Sequence, residues 1–235
     1  MSLSIIIPCR DEEENISSTI YKLKKKLSKK IKNYEIIIVN DFSEDNTLKI
    51  CKQFSSKKII IKNNFKKGLG GAINLGIKSS KKKYVTIMMA DLSDSFSDLI
   101  KYYKTIDHED LDAVMGSRFL KKSKISDYPT KKLILNRIFN YFVKIFFFSD
   151  YNDFTNAFKI YKRDCLTEIR PLISENFNIF LEIPLKIITR KKNYRIIPIN
   201  WKNRKKGNTK FKIKELGSKY LFTFIYCWIE KILIK

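Results

Sequence analysis

Four short apolar runs, separated by stretches of helical length, constrain this chain more than any other feature. They are Ser4-Ile-Ile-Ile-Pro8, Glu35-Ile-Ile-Ile-Val39, Lys58-Ile-Ile-Ile-Lys62 and Tyr84 to Ala90. None alternates strictly between apolar and polar residues, the pattern expected of strands covered on both faces in a parallel sheet. Between them, Asp11 to Lys29, Ser43 to Phe54 and Gly70 to Ser79 read as helices. The first has acidic residues in its opening turn and lysines at its end, which complements the helix dipole. The alternation predicts an α/β fold of βαβ units around a mostly parallel sheet flanked by helices.

Beyond Asp91 the pattern loosens. Phe96 to Ile106 reads as a helix, and Ala113 to Ser117 as a strand running into Arg118. Lys131 to Phe148 reads as a long helix, Asn156 to Tyr161 as a strand, Phe180 to Arg190 as a helix and Tyr194 to Ile199 as a last strand. Asn200 to Lys214 is basic and turn-like, and Leu216 to Ile234 closes as an aromatic helix. No repeat or low-complexity linker divides the chain. The expectation is one domain over residues 1–215 and a carboxyl-terminal aromatic helix over 216–235.

With 44% apolar and 13% aromatic residues, 235 residues bury a real core, which excludes global disorder. The formal charge of +24 has two readings. It suits anionic partners such as a phospholipid surface, nucleotide phosphates or nucleic acid, and it also follows from a Lys-, Ile- and Asn-rich composition. No recognised RNA- or DNA-binding module accompanies the charge, so nucleic acid ranks last among these partners. Cys9, Cys51, Cys165 and Cys227 lack metal or redox spacing and read as reduced, buried thiols. A strand by residue 3 or 4 leaves no room for a signal peptide. No apolar run approaches about 18 residues, so a spanning helix is not expected. These features point to a cytoplasmic protein, soluble or held at a membrane surface. The aromatic runs Phe139 to Phe148 and Tyr220 to Trp228, flanked by lysines, suit helices lying in a membrane interface. Core packing or a homodimer contact is the alternative.

Polar groups gather where the strands end. Asp11 and Glu12 follow the first, Asp41 the second, the glycine-rich Gly68 to Gly76 the third, and Asp91 the fourth. In open α/β sheets this edge is where ligands bind. Each group alone could simply cap the next helix; their recurrence favours a base, a ribose and a diphosphate held along one edge. The glycine segment is not a dinucleotide fingerprint, because position 73 is Ile73, nor has it the Lys and Ser/Thr of a phosphate-binding P-loop. Asp91 and Asp94 are candidate oxygen ligands for Mg²⁺ or Mn²⁺.

The order of these residues resembles a known family. Pro8-Cys-Arg-Asp-Glu-Glu-Glu-Asn-Ile16 and Val39-Asn-Asp-Phe-Ser-Glu-Asp-Asn-Thr47 are similar to the opening segments of family 2 glycosyltransferases. Gly68-Leu-Gly-Gly-Ala72, Met88-Met-Ala-Asp-Leu-Ser93, Gly116-Ser-Arg-Phe119 and Trp201-Lys-Asn-Arg-Lys-Lys-Gly-Asn-Thr-Lys210 resemble the polyprenyl-phosphate sugar transferases within it, of the dolichol-phosphate mannose synthase type. The resemblance spans residues 3 to 220. It implies a GT-A fold and an inverting transfer of a hexose from a GDP- or UDP-sugar to a polyprenyl phosphate. A glycan hydroxyl as acceptor, or a non-catalytic binding protein, is the rival reading. Donor contacts are implied for Pro8, Glu12, Asp41, Gly70, Ala90, Asp91, Arg204 and Lys210. Arg118, Lys132 and Asn136 fall where the acceptor phosphate is held, and Asp91 and Arg118 carry the chemistry. Met89 stands where the usual Asp-x-Asp has its first carboxylate, leaving Asp91, with Asp94 nearby, for the metal. A phosphate acceptor is already an anion and needs no general base, whereas a hydroxyl would; Glu182 and Asp153 are candidate bases for that case, with helix-surface or loop carboxylates the favoured reading.

Overall fold

In the computed structural model, which describes residues 2–204 and 213–234, nine strands form in chain order. They are β1 (Leu3–Cys9), β2 (Tyr34–Asn40), β3 (Ile59–Asn63), β4 (Tyr84–Ile87), β5 (Ala113–Ser117), β6 (Lys124–Ser126), β7 (Lys159–Lys162), β8 (Tyr194–Pro198) and β9 (Asn200–Lys202). The helices are α1 (Ile16–Lys30), α2 (Thr47–Gln53), α3 (Leu69–Ser79), α4 (Phe96–His108), α5 (Thr130–Phe147), α6 (Arg163–Glu168), α7 (Ile179–Thr189) and α8 (Ile213–Leu233). Seven strands make one sheet in the order β3-β2-β1-β4-β7-β5-β8, and β6 pairs with β9 in a small second sheet.

The Ile-rich runs of β1 and β2 are buried because both sheet faces are covered, whereas β3, at the sheet edge, buries Ile59 and leaves Ile60 and Ile61 half-buried. Leu3, Ile5 and Ile7 face a core built with Ile16, Ile20, Leu23 and Leu27 of α1 and Leu99, Tyr102 and Ile106 of α4. Ile6, Ile37 and Val39 face the opposite core, where Ile73 of α3, Val143 and Phe147 of α5, Ile183 of α7 and Phe224 of α8 pack. Side chains alternate across a strand, so uninterrupted isoleucines fill both layers. Tyr220, Phe224 and Cys227 join that second core, tying α8 to the domain. All four cysteines are free and buried.

The sheet is parallel except for β7, which runs antiparallel to both β4 and β5. The carboxyl ends of β1, β2, β3, β4, β5 and β8 therefore share one edge, and β7 begins at that edge. Three short elements, β6, β9 and α6, were not expected from the sequence, and their three to six residues are too few to show a period. The fourth strand ends at Ile87 rather than Ala90, because Met89 N–H turns to an Asp94 carboxylate oxygen at 3.1 Å. The first helix starts at Ile16 rather than Asp11, since Asp11 to Asn15 form a turn whose Glu12 carbonyl accepts from Asn15 and Ile16 N–H.

Candidate active site

The shared edge assembles the site in two halves. On the first, Pro8 lies buried near the end of β1, beside Val39 in register. Asp41 follows β2, and its Oδ1 accepts from Gly68 N–H and Asn64 Nδ2, both at 2.8 Å. This carboxylate pins the turn that starts α3, where Gly68 has a φ of 145°, open to glycine alone at no steric cost. Gly70 N–H donates to Glu175 O at 2.9 Å, and a Cβ there would collide with the Ser174 carbonyl. Its glycine is thus required by packing on the 174–175 loop. The Ala90 carbonyl accepts from Thr19 Oγ1 at 2.7 Å, which anchors the turn carrying Asp91.

Glu12 is held by Thr47 Oγ1 on its N–H and by Asn15 Nδ2 on its carboxylate. Arg204, just past β9, reaches both Glu12 oxygens through Nη2 at 2.6 and 2.7 Å, and its Nε lies 3.9 Å from Asp91 Oδ2. The structure brings Glu12, Asp91 and Arg204 together. Lys210 lies outside the described residues.

Asp94 lies deeper in the same turn as Asp91. It is buried, and one of its oxygens is committed to Met89 N–H. Burial, reinforced by the nearby Asp91 charge, pushes its carboxyl up to about 7, against the opposing Met89 N–H. That hydrogen bond ties one Asp94 oxygen to its own turn. Among the described residues no group of three His, Cys, Asp or Glu could hold a metal. Asp91 Oδ1 accepts from Ser93 N–H at 3.0 Å, and its Oδ2 faces Arg204 Nε at 3.9 Å. One carboxylate suffices for Mg²⁺ when substrate phosphates and water complete its shell.

The second half is built on Arg118, which leaves β5 with only 7% of its surface exposed. Its Nε and Nη2 clasp the two oxygens of fully buried Asp153 at 2.9 and 2.7 Å, and Asp153 also accepts Arg118 N–H at 2.8 Å. Burial pulls the guanidinium down, but the Asp153 charge and the hydrogen bonds to it, with Tyr128 and Tyr151 adding, together hold Arg118 above its ordinary value. The rings of Phe119, Tyr128 and Trp201 surround it at 5.4, 5.7 and 5.7 Å. Thr155 accepts from Arg118 Nη2 and from Asn136 Nδ2, and Asn140 Nδ2 donates to Asn136 Oδ1. Asn136 thus meets Arg118 through Thr155, while Lys132 is exposed one turn earlier on α5.

Two carboxylates depart from their expected places. Asp153 is a buried counter-ion, not a loop-surface group. Glu182 is fully buried in α7, where it accepts from Ile173 and Ser174 N–H at 2.8 Å and lies 3.2 Å from Lys186. Sequence reasoning missed Asn64, Thr155, Asn140 and Lys159. The only signal was the polar run Asp153-Phe-Thr-Asn156 just before an apolar strand.

A mostly parallel sheet with Glu12, Asp41 and Asp91 following its strand ends and a buried Arg118–Asp153 pair at the same edge has the architecture of a GT-A glycosyltransferase. The fold matches solved structures of that kind. Against glucosyl-3-phosphoglycerate synthase from Mycobacterium tuberculosis, in complex with Mn²⁺, UDP and phosphoglyceric acid, the TM-score is 0.71 at 13% identity, covering 97% of this chain and 78% of that one. The profile of glycosyl transferase family 2 matches residues 4–170. The chain belongs to glycosyltransferase family 2. Among its relatives, the dolichyl-phosphate beta-glucosyltransferase of Dictyostelium discoideum is 30% identical over 218 residues, covering 85% of this chain and 66% of that protein. The dolichol-phosphate mannosyltransferase of Pyrococcus furiosus is 30% identical over 139 residues, covering 58% and 39%. Glycosyltransferase AglD of Haloferax volcanii is 22% identical over 235 residues, covering 95% and 37%. The chain thus spans between about a third and two thirds of the length of these relatives.

Proposed function

We propose that the chain moves a hexose from a nucleotide-sugar to a polyprenyl phosphate, inverting the anomeric carbon. The observation that carries this reading is the position of Arg118 and Asn136 at the head of an exposed apolar face. On α5 that face presents Ile134, Leu135, Ile138 and Tyr141. Leu221, Phe222 and Ile225 of α8 are exposed as well, and Phe142 joins the two helices by packing 5.1 Å from Phe224. Large exposed apolar side chains gathered on two packed helices suit a binding face. A molecule with an anionic head and an apolar tail matches both features at once. The names of the Dictyostelium and Pyrococcus relatives support the same acceptor class.

In this reading Pro8, Glu12, Asp41, Ala90 and Asp91 line the nucleotide and diphosphate, Arg204 meets the diphosphate, and Arg118, Lys132 and Asn136 meet the acceptor phosphate. Gly70 contributes close packing beneath them. Asp91 would hold a Mg²⁺ or Mn²⁺ ion together with the donor phosphates, and such an ion would supply positive charge to the departing diphosphate. The acceptor oxygen, already anionic, attacks the anomeric carbon as the bond to the diphosphate breaks. Catalysis then rests on alignment and on fixed cations between two mutually repelling phosphates.

Among the described residues no helix is long and apolar enough to cross a membrane. The α5–α8 face, edged by exposed Lys131, Lys132 and Lys219, suits peripheral contact with an anionic membrane; a second copy or a membrane-protein partner would be the other occupants. The test is incubation with a polyprenyl phosphate and a panel of UDP- and GDP-hexoses, with Mg²⁺, Mn²⁺ or chelator. A chloroform-extractable sugar supports the reading. Donor binding without a lipid product points to a hydroxyl acceptor, and neither points to a non-catalytic relative.

A further inference from the structure

We propose that Lys159 is a positioning residue that keeps the Arg118 side of the cleft net positive toward a phosphate, without touching it; this rests on the phosphate-acceptor reading above. The Arg118–Asp153 pair carries no net charge, and a neutral pair draws a phosphate only at contact range. Lys159 alters that balance. It opens β7 and is fully buried. Its Nζ donates to the carbonyls of Phe154, at 3.1 Å, and Asn156, the residues that follow Asp153. The Tyr151 ring lies 5.6 Å from the ammonium.

A buried ammonium persists only when hydrogen-bonded and compensated. Here two carbonyls, a ring face and the Asp153 charge do so, and one carboxylate is thereby shared between two cations. Arg118 and Lys159 against Asp153 leave one surplus positive charge, which Asp94, the other carboxyl acting on both cations, offsets only where it is ionised. Burial draws the Lys159 ammonium down to about 7; Asp153 and Asp94 oppose that shift and Arg118 adds to it. The surplus therefore grows as pH falls through that midpoint. The same bonds also make Lys159 a clamp on the loop that presents Asp153 and Thr155, so a purely structural role is the competing account.

The experiment is calorimetric titration, below pH 7, of the full chain with farnesyl phosphate and, separately, with UDP and GDP. Lys159→Met retains the side-chain length and removes the charge; Lys159→Arg retains the charge. The expected result is roughly ten-fold weaker farnesyl phosphate binding by Lys159→Met, nucleotide binding within about two-fold of the parent, and recovery in Lys159→Arg. If Lys159→Met does not fold, Lys159→Gln, which keeps an N–H donor without the charge, takes its place. Undiminished farnesyl phosphate binding by the uncharged variant overturns the proposal, as does parallel loss of nucleotide binding or failure of Lys159→Arg to recover. If the parent protein itself does not bind farnesyl phosphate, the acceptor reading falls and this inference falls with it.

Discussion

Arg204 Nη2 donates to both carboxylate oxygens of Glu12 across 192 residues of sequence, and its Nε faces Asp91. Strand order explains the encounter. β1 and β8 end at the same sheet edge, and β9 carries the chain on from β8 to Arg204. In this state the guanidinium sits between two carboxylates, so a donor diphosphate competes with them for one cation. Arg204→Lys keeps the charge but loses the forked geometry that suits phosphate oxygens. Calorimetry with UDP- and GDP-sugars should show donor affinity lowered about ten-fold. Unchanged affinity would remove Arg204 from the donor site.

Asp153 closes the charge of Arg118 inside the protein, and this decides between two roles for it. As a counter-ion, its replacement leaves a buried guanidinium unpaired, which costs roughly 3–5 kcal/mol. Asp153→Asn should therefore lower the midpoint of urea unfolding strongly, along with acceptor binding. A general base would behave differently, with stability near that of the parent and turnover alone lost.

The sheet, its parallel core and the first four strand-end groups were legible because each Ile run carries its own signature of two-sided burial. The second half of the site was not. Its loop from Ser149 to Phe158 reaches the ligand edge only because β7 runs antiparallel between β4 and β5, and a four-residue strand does not announce its direction. Arg118 was visible as a cation after a strand; that Asp153 would bind it was not, since the two are 35 residues apart. The burial of Asp94 was hidden for a related reason. Its spacing from Asp91 suits a shared ion, but the turn between them points one of its oxygens back at Met89 N–H.

Asp94 gives the molecule a pH signature. Its carboxyl is raised in the fold from an ordinary 3.8 to about 7, mainly by burial. The folded state then binds more protons than the unfolded chain between those values, so this residue's contribution to stability falls as pH rises through that window. Asp94→Asn keeps an oxygen for Met89 N–H and has no proton to lose. Urea unfolding from pH 4 to 8 should show a flatter profile in the variant, with its greatest gain over the parent above pH 7. Parallel profiles would mean that Asp94 ionises normally.

The apolar face of α5 and α8 separates a lipid-docking role from core packing, because its outer residues can be charged without touching the core. Ile138 and Phe222 are each 62% exposed, whereas Val143 and Cys227 on the same helices are fully buried. Ile138→Glu with Phe222→Glu should shift folding stability by no more than about 0.5 kcal/mol per site. On anionic liposomes the parent should float at low salt and release as salt rises, since lysines around an apolar face add a screened attraction. The doubly charged variant should stay in the aqueous fraction and lose transfer to a membrane-embedded polyprenyl phosphate, while a short soluble acceptor is still glycosylated. Flotation equal to the parent's would move the membrane contact elsewhere. A change from dimer to monomer in light scattering would instead assign the face to a second copy of the chain.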